Sequence, residues 1–306
     1  MQRALRLSAA LCLVSCAPAR AVPEPAVAAP VDSSSRSAGC GRPYVAPGEQ
    51  RLQVGERTGQ YLVSLPTDYD EKRAYPLVFA LHGRNRNHRD CQQTDCTGIQ
   101  SELGGKAVLV YPQSLREPLD APSSGWEHPD ERDDNLAFFD ALWASIEAGY
   151  CIDRERIVLA GSSSGGTFVH SLGCRYGERL QAIATVAGGF PEPEACRGAP
   201  AAILIHGIDD HHVPIARGEL SREAYVTRSG CQPSVAAPLA DLRAAMRQAR
   251  DAKLEEASCV DIAGCRAGSP LRWCEHSYGG YDGSTHGWPP VGGELIARFL
   301  SELPAR

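Results

Sequence analysis

Residues 157–166 read Ile157-Val158-Leu159-Ala160-Gly161-Ser162-Ser163-Ser164-Gly165-Gly166. The apolar run predicts a buried strand, and residues 167–176 suit a helix. Between them stands G-x-S-x-G, centred on Ser163. A strand, a sharp turn and a helix with serine at the apex lift a hydroxyl clear of a sheet, where it can attack an acyl carbonyl. Such a turn strains the serine backbone and crowds its neighbours, so glycine is needed two residues to either side. Only Ser163 meets that condition, through Gly161 and Gly165. Ser164 has Ser162 at minus two, and Ser162 lacks both glycines. A helix cap rich in glycine and serine has the same composition without any chemistry. The rest of the chain must therefore supply the partners.

With 306 residues the chain is long enough for one large α/β domain. A net charge of −6, with no lysine or arginine run, argues against a nucleic-acid surface. No second apolar stretch is long enough to span a bilayer. Residues 1–16 have the pattern of a secretory signal, with two early arginines and an apolar stretch over 7–14. Leu13-Val14-Ser15-Cys16 fits a bacterial lipobox, in which Cys16 is lipidated. Ala19-Arg20-Ala21 offers ordinary cleavage instead. Residues 17–38, rich in Ala, Pro and Ser, are expected to be a disordered tether, and residues 39–306 a single catalytic domain. Of twelve cysteines, ten remain once Cys12 and Cys16 are set aside. An even number in an exported chain implies disulfides, whose pairing spacing does not fix. Cys91 and Cys96 are close enough to staple one loop. No C-x-x-C pair has zinc spacing, so no metal site is expected.

From Gly59 onward, apolar runs alternate with helical patterns. Residues 61–65, 77–81, 107–111, 157–160, 182–187, 202–205 and 271–274 are expected strands. Residues 135–148 place Leu136, Phe139, Leu142 and Ile146 on one helical face, and residues 293–300 suit a closing helix. This alternation predicts a mostly parallel sheet covered on both faces, with its site beyond the carboxyl ends of the strands. Residues 229–268, with a helix expected over 238–252, form a disulfide-pinned excursion between the last two strands. It shapes the substrate mouth or merely decorates the surface.

A serine hydroxyl needs a base to take its proton and a third group to orient that base. Both should follow Ser163 in the chain. Residues 203–210 run from a strand into a turn ending in Asp209-Asp210, either of which could be the acid or a simple turn residue. His276 at a strand end and His286 in the glycine-rich stretch 279–289 are the candidate bases. His286 is favoured, because a base must reach back over the serine from a loop. His211 and His212 are expected to be solvated. One oxyanion donor should be the backbone N–H of Ser164, at a helix N-terminus. The second should be the backbone N–H of Arg84, with Gly83 the alternative, after the strand ending Leu81-His82-Gly83. His82 is expected to support that loop. Trp126 and Trp288 are candidate walls for an aromatic acyl group, with plain packing the alternative for each.

Tyr61-Leu62-Val63-Ser64-Leu65-Pro66, Leu81-His82-Gly83, Gly161-Ser162-Ser163-Ser164-Gly165-Gly166, His206-Gly207 followed by Asp210, Cys151-Ile152-Asp153, Arg272-Trp273-Cys274 and His286 together resemble the α/β-hydrolase esterases. The resemblance is to the feruloyl esterase and polyhydroxybutyrate depolymerase-like group. It covers about residue 39 to the C-terminal helix. The pattern H-G-x-x-D-x-x-V-P, which recurs in hydrolases of this fold, selects Asp210. The resemblance implies a secreted serine esterase without a cofactor. The chain is separately expected to be a monomer with no nucleic-acid partner, touching a membrane only through Cys16. It departs from the group around Cys91 and Cys96, in 229–268 and before His286, where substrate would enter. The expected substrate is a feruloyl ester of plant polysaccharide. A polyhydroxyalkanoate and an acetylated xylan follow, and a non-catalytic surface lipoprotein is the reading from another class.

Overall fold

Leu77, Phe79 and Leu81 face one side of a sheet, and Val78 and Ala80 the other. All five are buried. Period-two alternation with apolar residues on both faces is the mark of a central strand sandwiched between helices. The computed structural model describes residues 35–93, 98–115, 125–126, 132–190, 196–232, 259–279 and 283–304. The expectations for the leader, for Cys16, for Cys96 and for a helix over 238–252 concern residues outside these ranges.

The described strands are β1 (Gly48–Val54), β2 (Arg57–Ser64), β3 (Tyr75–Leu81), β4 (Val108–Pro112), β5 (Ile152–Ser162), β6 (Ala182–Val186), β7 (Ala201–Gly207), β8 (Cys259–Ile262) and β9 (Leu271–His276). They form one sheet in the order β1-β2-β4-β3-β5-β6-β7-β9-β8. From β4 through β3, β5, β6 and β7 to β9 every pair is parallel. The outer pairs are antiparallel. The described helices are α1 (His88–Gln93), α2 (Ile99–Leu103), α3 (Arg132–Gly149), α4 (Ser164–Tyr176), α5 (Ile215–Ser229) and α6 (Gly292–Glu302). Side chains of α3, α4 and α5 join the core on one face of the sheet. Those of α1, α2 and α6 join it on the other. This is the expected α/β-hydrolase arrangement.

Four disulfides among the described residues tie this frame together. Cys40–Cys151 holds the N-terminal segment to the start of β5, and Cys174–Cys196 holds the end of α4. Cys231–Cys265 and Cys259–Cys274 pin the excursion, the latter across the β8–β9 register. The folded unit begins at Ser35, a few residues before the expected end of the tether. Arg36 bridges Asp153, and Ser37 donates its N–H to the Ile152 carbonyl and its hydroxyl to that of Tyr150. Those bonds make residues 35–38 part of the domain.

Candidate active site

The sheet delivers its chemistry at one edge. Leu81 ends β3, Ser163 follows β5, Ala187 follows β6, Asp210 follows β7 and His286 follows β9. These are the carboxyl ends of parallel neighbours, where the helix N-termini also point.

Ser163 has φ 52° and ψ −122°, a left-handed conformation that costs a non-glycine residue about 1–3 kcal/mol. The flanking bonds hold it there. Its N–H donates to Val186 O at 2.9 Å, and its carbonyl accepts from Thr167 N–H at 2.9 Å. A Cβ on Gly161 would lie 2.7 Å from the Gly165 carbonyl, and one on Gly165 would collide with the carbonyl oxygens of Leu81 and His82. Glycine two residues to either side is thus set by backbone packing, of Gly161 against the start of α4 and of Gly165 against the end of β3.

His286 Nε2 lies 2.9 Å from Ser163 Oγ, and His286 Nδ1 lies 2.7 Å from Asp210 Oδ2. A carboxylate only accepts, so Nδ1 carries the hydrogen and Nε2 is left to accept from the serine hydroxyl. Asp210 is 5% exposed. Its other oxygen accepts N–H bonds from His212 (2.9 Å) and Val213 (2.8 Å). Burial pushes the Asp210 carboxyl up, but the His286 and Val213 bonds and the nearby imidazoles outweigh it, leaving the carboxyl below its ordinary range. The backbone N–H of Asp209 donates to Thr285 Oγ1 at 2.9 Å.

That bond belongs to a zipper joining the loop of the acid to the loop of the histidine. Ser284 Oγ accepts the N–H groups of His211 (2.9 Å) and His286 (3.2 Å). A Cβ on Gly207 would collide with Thr285, so glycine here lets the loops touch. His206 donates from Nε2 to Val213 O at 2.8 Å and sits 3.6 Å from Asp210 Oδ2. Burial holds the His206 pKa down, so it braces the turn as a neutral ring. Ser284, Thr285 and His206 were not anticipated as site residues. Their signal was a bare Ser-Thr pair and a histidine beside glycine. His276, the alternative base, is buried at the end of β9, with its pKa pushed down to about 4 by burial. The structure brings His286, not His276, to the serine.

On the opposite wall, Ser164 is the first residue of α4, so its N–H has no intrahelical acceptor. A Cβ on Gly83 would stand 3.5 Å from Ser163 Cβ, which brings the turn carrying Gly83 and Arg84 beside the nucleophile. His82 anchors this turn. Nδ1–H donates to Gly83 O at 2.8 Å, and Nε2 accepts Ser114 N–H at 3.1 Å. Burial pushes its pKa down to about 4, which fixes a neutral supporting ring.

Trp126 does not line the cleft. Its indole is fully buried, stacks on Phe168 at 5.2 Å and donates to His82 O at 2.8 Å. An indole with its N–H satisfied inside the core stiffens the loop of His82 instead of facing substrate. Trp288 does border the cleft, with Ser163, His286 and Arg84. The cleft holds about 720 Å³, within the range of small-molecule sites. His212, expected to be merely solvated, also borders it, and its ring packs 5.0 Å from that of His286. No cluster of metal-binding side chains occurs among the described residues.

No protein-family model matches the sequence. A probable feruloyl esterase C of Aspergillus niger is 31% identical over 208 residues, covering 65% of this chain and 72% of the fungal protein. The chain belongs to the feruloyl esterase family. It is accordingly a carboxylic ester hydrolase. The feruloyl esterase C of Emericella nidulans is 28% identical over 262 residues, 83% of this chain and 86% of its own. An acetyl xylan esterase from Aspergillus awamori superposes with a TM-score of 0.56 at 12% identity, over 82% of this chain and 98% of its own. At that identity the likeness is one of fold, and it places this feruloyl esterase relative in the α/β-hydrolase architecture.

Proposed function

We propose that Ser163 is the nucleophile, His286 the general base and acid, and Asp210 the group that orients the imidazole and stabilises its cation. The hydrogen-bonded chain from Asp210 Oδ2 through His286 to Ser163 Oγ, at 2.7 and 2.9 Å, carries this reading. His286 takes the hydroxyl proton as Ser163 attacks the ester carbonyl. The oxyanion is held by the backbone N–H groups of Ser164 and Arg84. The imidazolium returns its proton to the leaving alcohol. Water, deprotonated by the same imidazole, then releases the acid.

The acyl group in this reading is feruloyl or a related hydroxycinnamoyl, carried on plant cell-wall polysaccharide. The names of the relatives support it, as does the Trp288 indole at the cleft. The site needs no cofactor for this chemistry. The leader pattern and four disulfides also support export to an oxidising compartment. Lipidation of Cys16 and cleavage near Ala21 differ in the mature N-terminus, which intact-mass measurement separates.

Labelling by a fluorophosphonate probe, with turnover of methyl ferulate, acetylated xylan and polyhydroxybutyrate, tests the function. The wild type should label and turn over methyl ferulate fastest. Ser163→Ala should do neither, and Ser164→Ala should still label. A folded wild type that takes no label would overturn the nucleophile. Faster turnover of either polymer would overturn the acyl group.

A further inference from the structure

The described lining of the cleft is basic, and a neutral ester gives it nothing to pair with. Arg84 and Arg86 border the cleft, on either side of Asn85, whose φ is 60°. Both are exposed, and neither guanidinium has a hydrogen-bond or carboxylate partner among the described residues. Arg217 flanks the other side. Its Nε lies 3.3 Å from where a Cβ on Gly189 would stand, and Val213, which borders the cleft, lies 3.7 Å from the same point. Arg217 is likewise exposed and unpartnered among the described residues.

The placement of Arg217 does not serve its helix. It sits in the first turn of α5, which holds no acidic residue, and a cation there opposes the helix dipole. Among the described residues that border the cleft, none is Asp or Glu. The carboxylate of Asp210 is buried and fully bonded beneath His286. The described lining of the mouth is therefore positive, on a chain whose net charge is −6. Ester carbonyls are neutral, and a phenol, with a pKa of about 10, is neutral at pH 7. Guanidinium groups in this position match a carboxylate, which they can bind in fork geometry.

We infer that the substrate carries a carboxylate near the scissile ester, bound by Arg84, Arg86 and Arg217. The inference rests on the esterase reading above and sharpens its substrate. Two sources share this chemistry. A uronic acid puts the carboxylate on the alcohol side, and a dicarboxylic half-ester puts it on the acyl side.

Two matched pairs of esters separate them. Feruloyl galacturonate against feruloyl galactose probes the alcohol side. 4-Nitrophenyl hemisuccinate against 4-nitrophenyl acetate probes the acyl side. In at least one pair the acidic ester should have kcat/KM ~5-fold or more above its neutral partner at low salt, since exposed charge contacts are individually modest. That ratio should collapse toward one in 0.5 M NaCl (a condition of about 4 Å screening length). It should collapse equally in Arg86→Gln/Arg217→Gln. The pair showing the preference identifies the side. Ratios near one in both pairs, or a preference unmoved by the double substitution, overturn the inference while leaving the esterase reading intact. Failure to hydrolyse any of the four esters would overturn both.

Discussion

Asp210 serves the site with both carboxylate oxygens, and they do different work. Oδ1 holds the turn through the N–H groups of His212 and Val213, while Oδ2 accepts the hydrogen bond donated by His286 Nδ1. Asp210→Asn should separate these roles. An amide can keep its carbonyl on the two backbone donors, so the turn should survive. Its NH2 would then face His286 Nδ1 and force the other tautomer, with an N–H aimed at Ser163 Oγ. A serine facing a donor cannot be deprotonated. The expected result is a fall of ~10³–10⁴-fold in kcat with little change in KM, as such substitutions give in serine hydrolases. Steady-state kinetics on methyl ferulate beside a thermal melt measure it. A loss under tenfold in a folded variant would remove Asp210 from the mechanism.

The nucleophile turn was legible because its constraints fall at fixed positions around the serine. Gly161 and Gly165 are glycine for reasons of backbone collision with their immediate surroundings, and such requirements leave a fixed spacing in the chain. Gly165→Ala should therefore act on the element as a whole. The new methyl meets the carbonyl oxygens of Leu81 and His82, so β3 and α4 must part, at about 1–3 kcal/mol for an overpacked site. A lower urea midpoint and slower ester turnover should appear together. An unchanged midpoint would mean that the turn relaxes freely. The buried strands were legible too, since apolar runs such as 182–187 and 202–205 have no other home in a chain of this pattern. What stayed hidden depends on partners distant in sequence. β1 is half polar, alternating between exposed and half-buried positions at the sheet edge, and it becomes a strand only by pairing with β2. β8 has four residues and is held by β9 and the Cys259–Cys274 disulfide. Trp126 was legible as an aromatic near the site, but its side of the loop was set by Phe168 and the His82 carbonyl. The edge disulfide gives another expectation at this scale. Closing a separation of 15 residues stabilises by roughly 2–4 kcal/mol. Cys259→Ser/Cys274→Ser should lose about that much in equilibrium denaturation, and no loss would show that β8 is held by its backbone ladder alone.

Across the whole molecule, buried imidazoles couple the fold to pH. His82 and His276 are pushed down to about 4 by burial, and His170 to about 3 by burial with nearby Arg228 adding to it. In the unfolded chain each returns to about 6.5. Between roughly pH 6.5 and pH 4 the unfolded state therefore binds more protons than the native state, and stability falls as pH falls through that window. Asp210 acts in the same direction. Its lowered carboxyl pKa favours the fold above the ordinary carboxylate value and loses that contribution in acid. Each histidine contributes on the order of 1–3 kcal/mol to this slope. Urea midpoints should drop steadily from pH 7 to pH 4.5, and a flat profile would mean that these rings are charged or solvated in the folded protein. His170→Leu gives the sharper comparison. His170 is fully buried on α4, against Phe190 and Tyr225, and makes one polar contact, to Thr185 at 3.4 Å. Leucine keeps the apolar packing and removes one titrating group. The stability of the variant relative to the wild type should rise from pH 7 to pH 4.5, because the wild type alone loses the His170 contribution on acidification. Parallel profiles for the two proteins would exclude His170 from the acid response and leave it to the other buried groups, His82, His206, His276 and Asp210 among them.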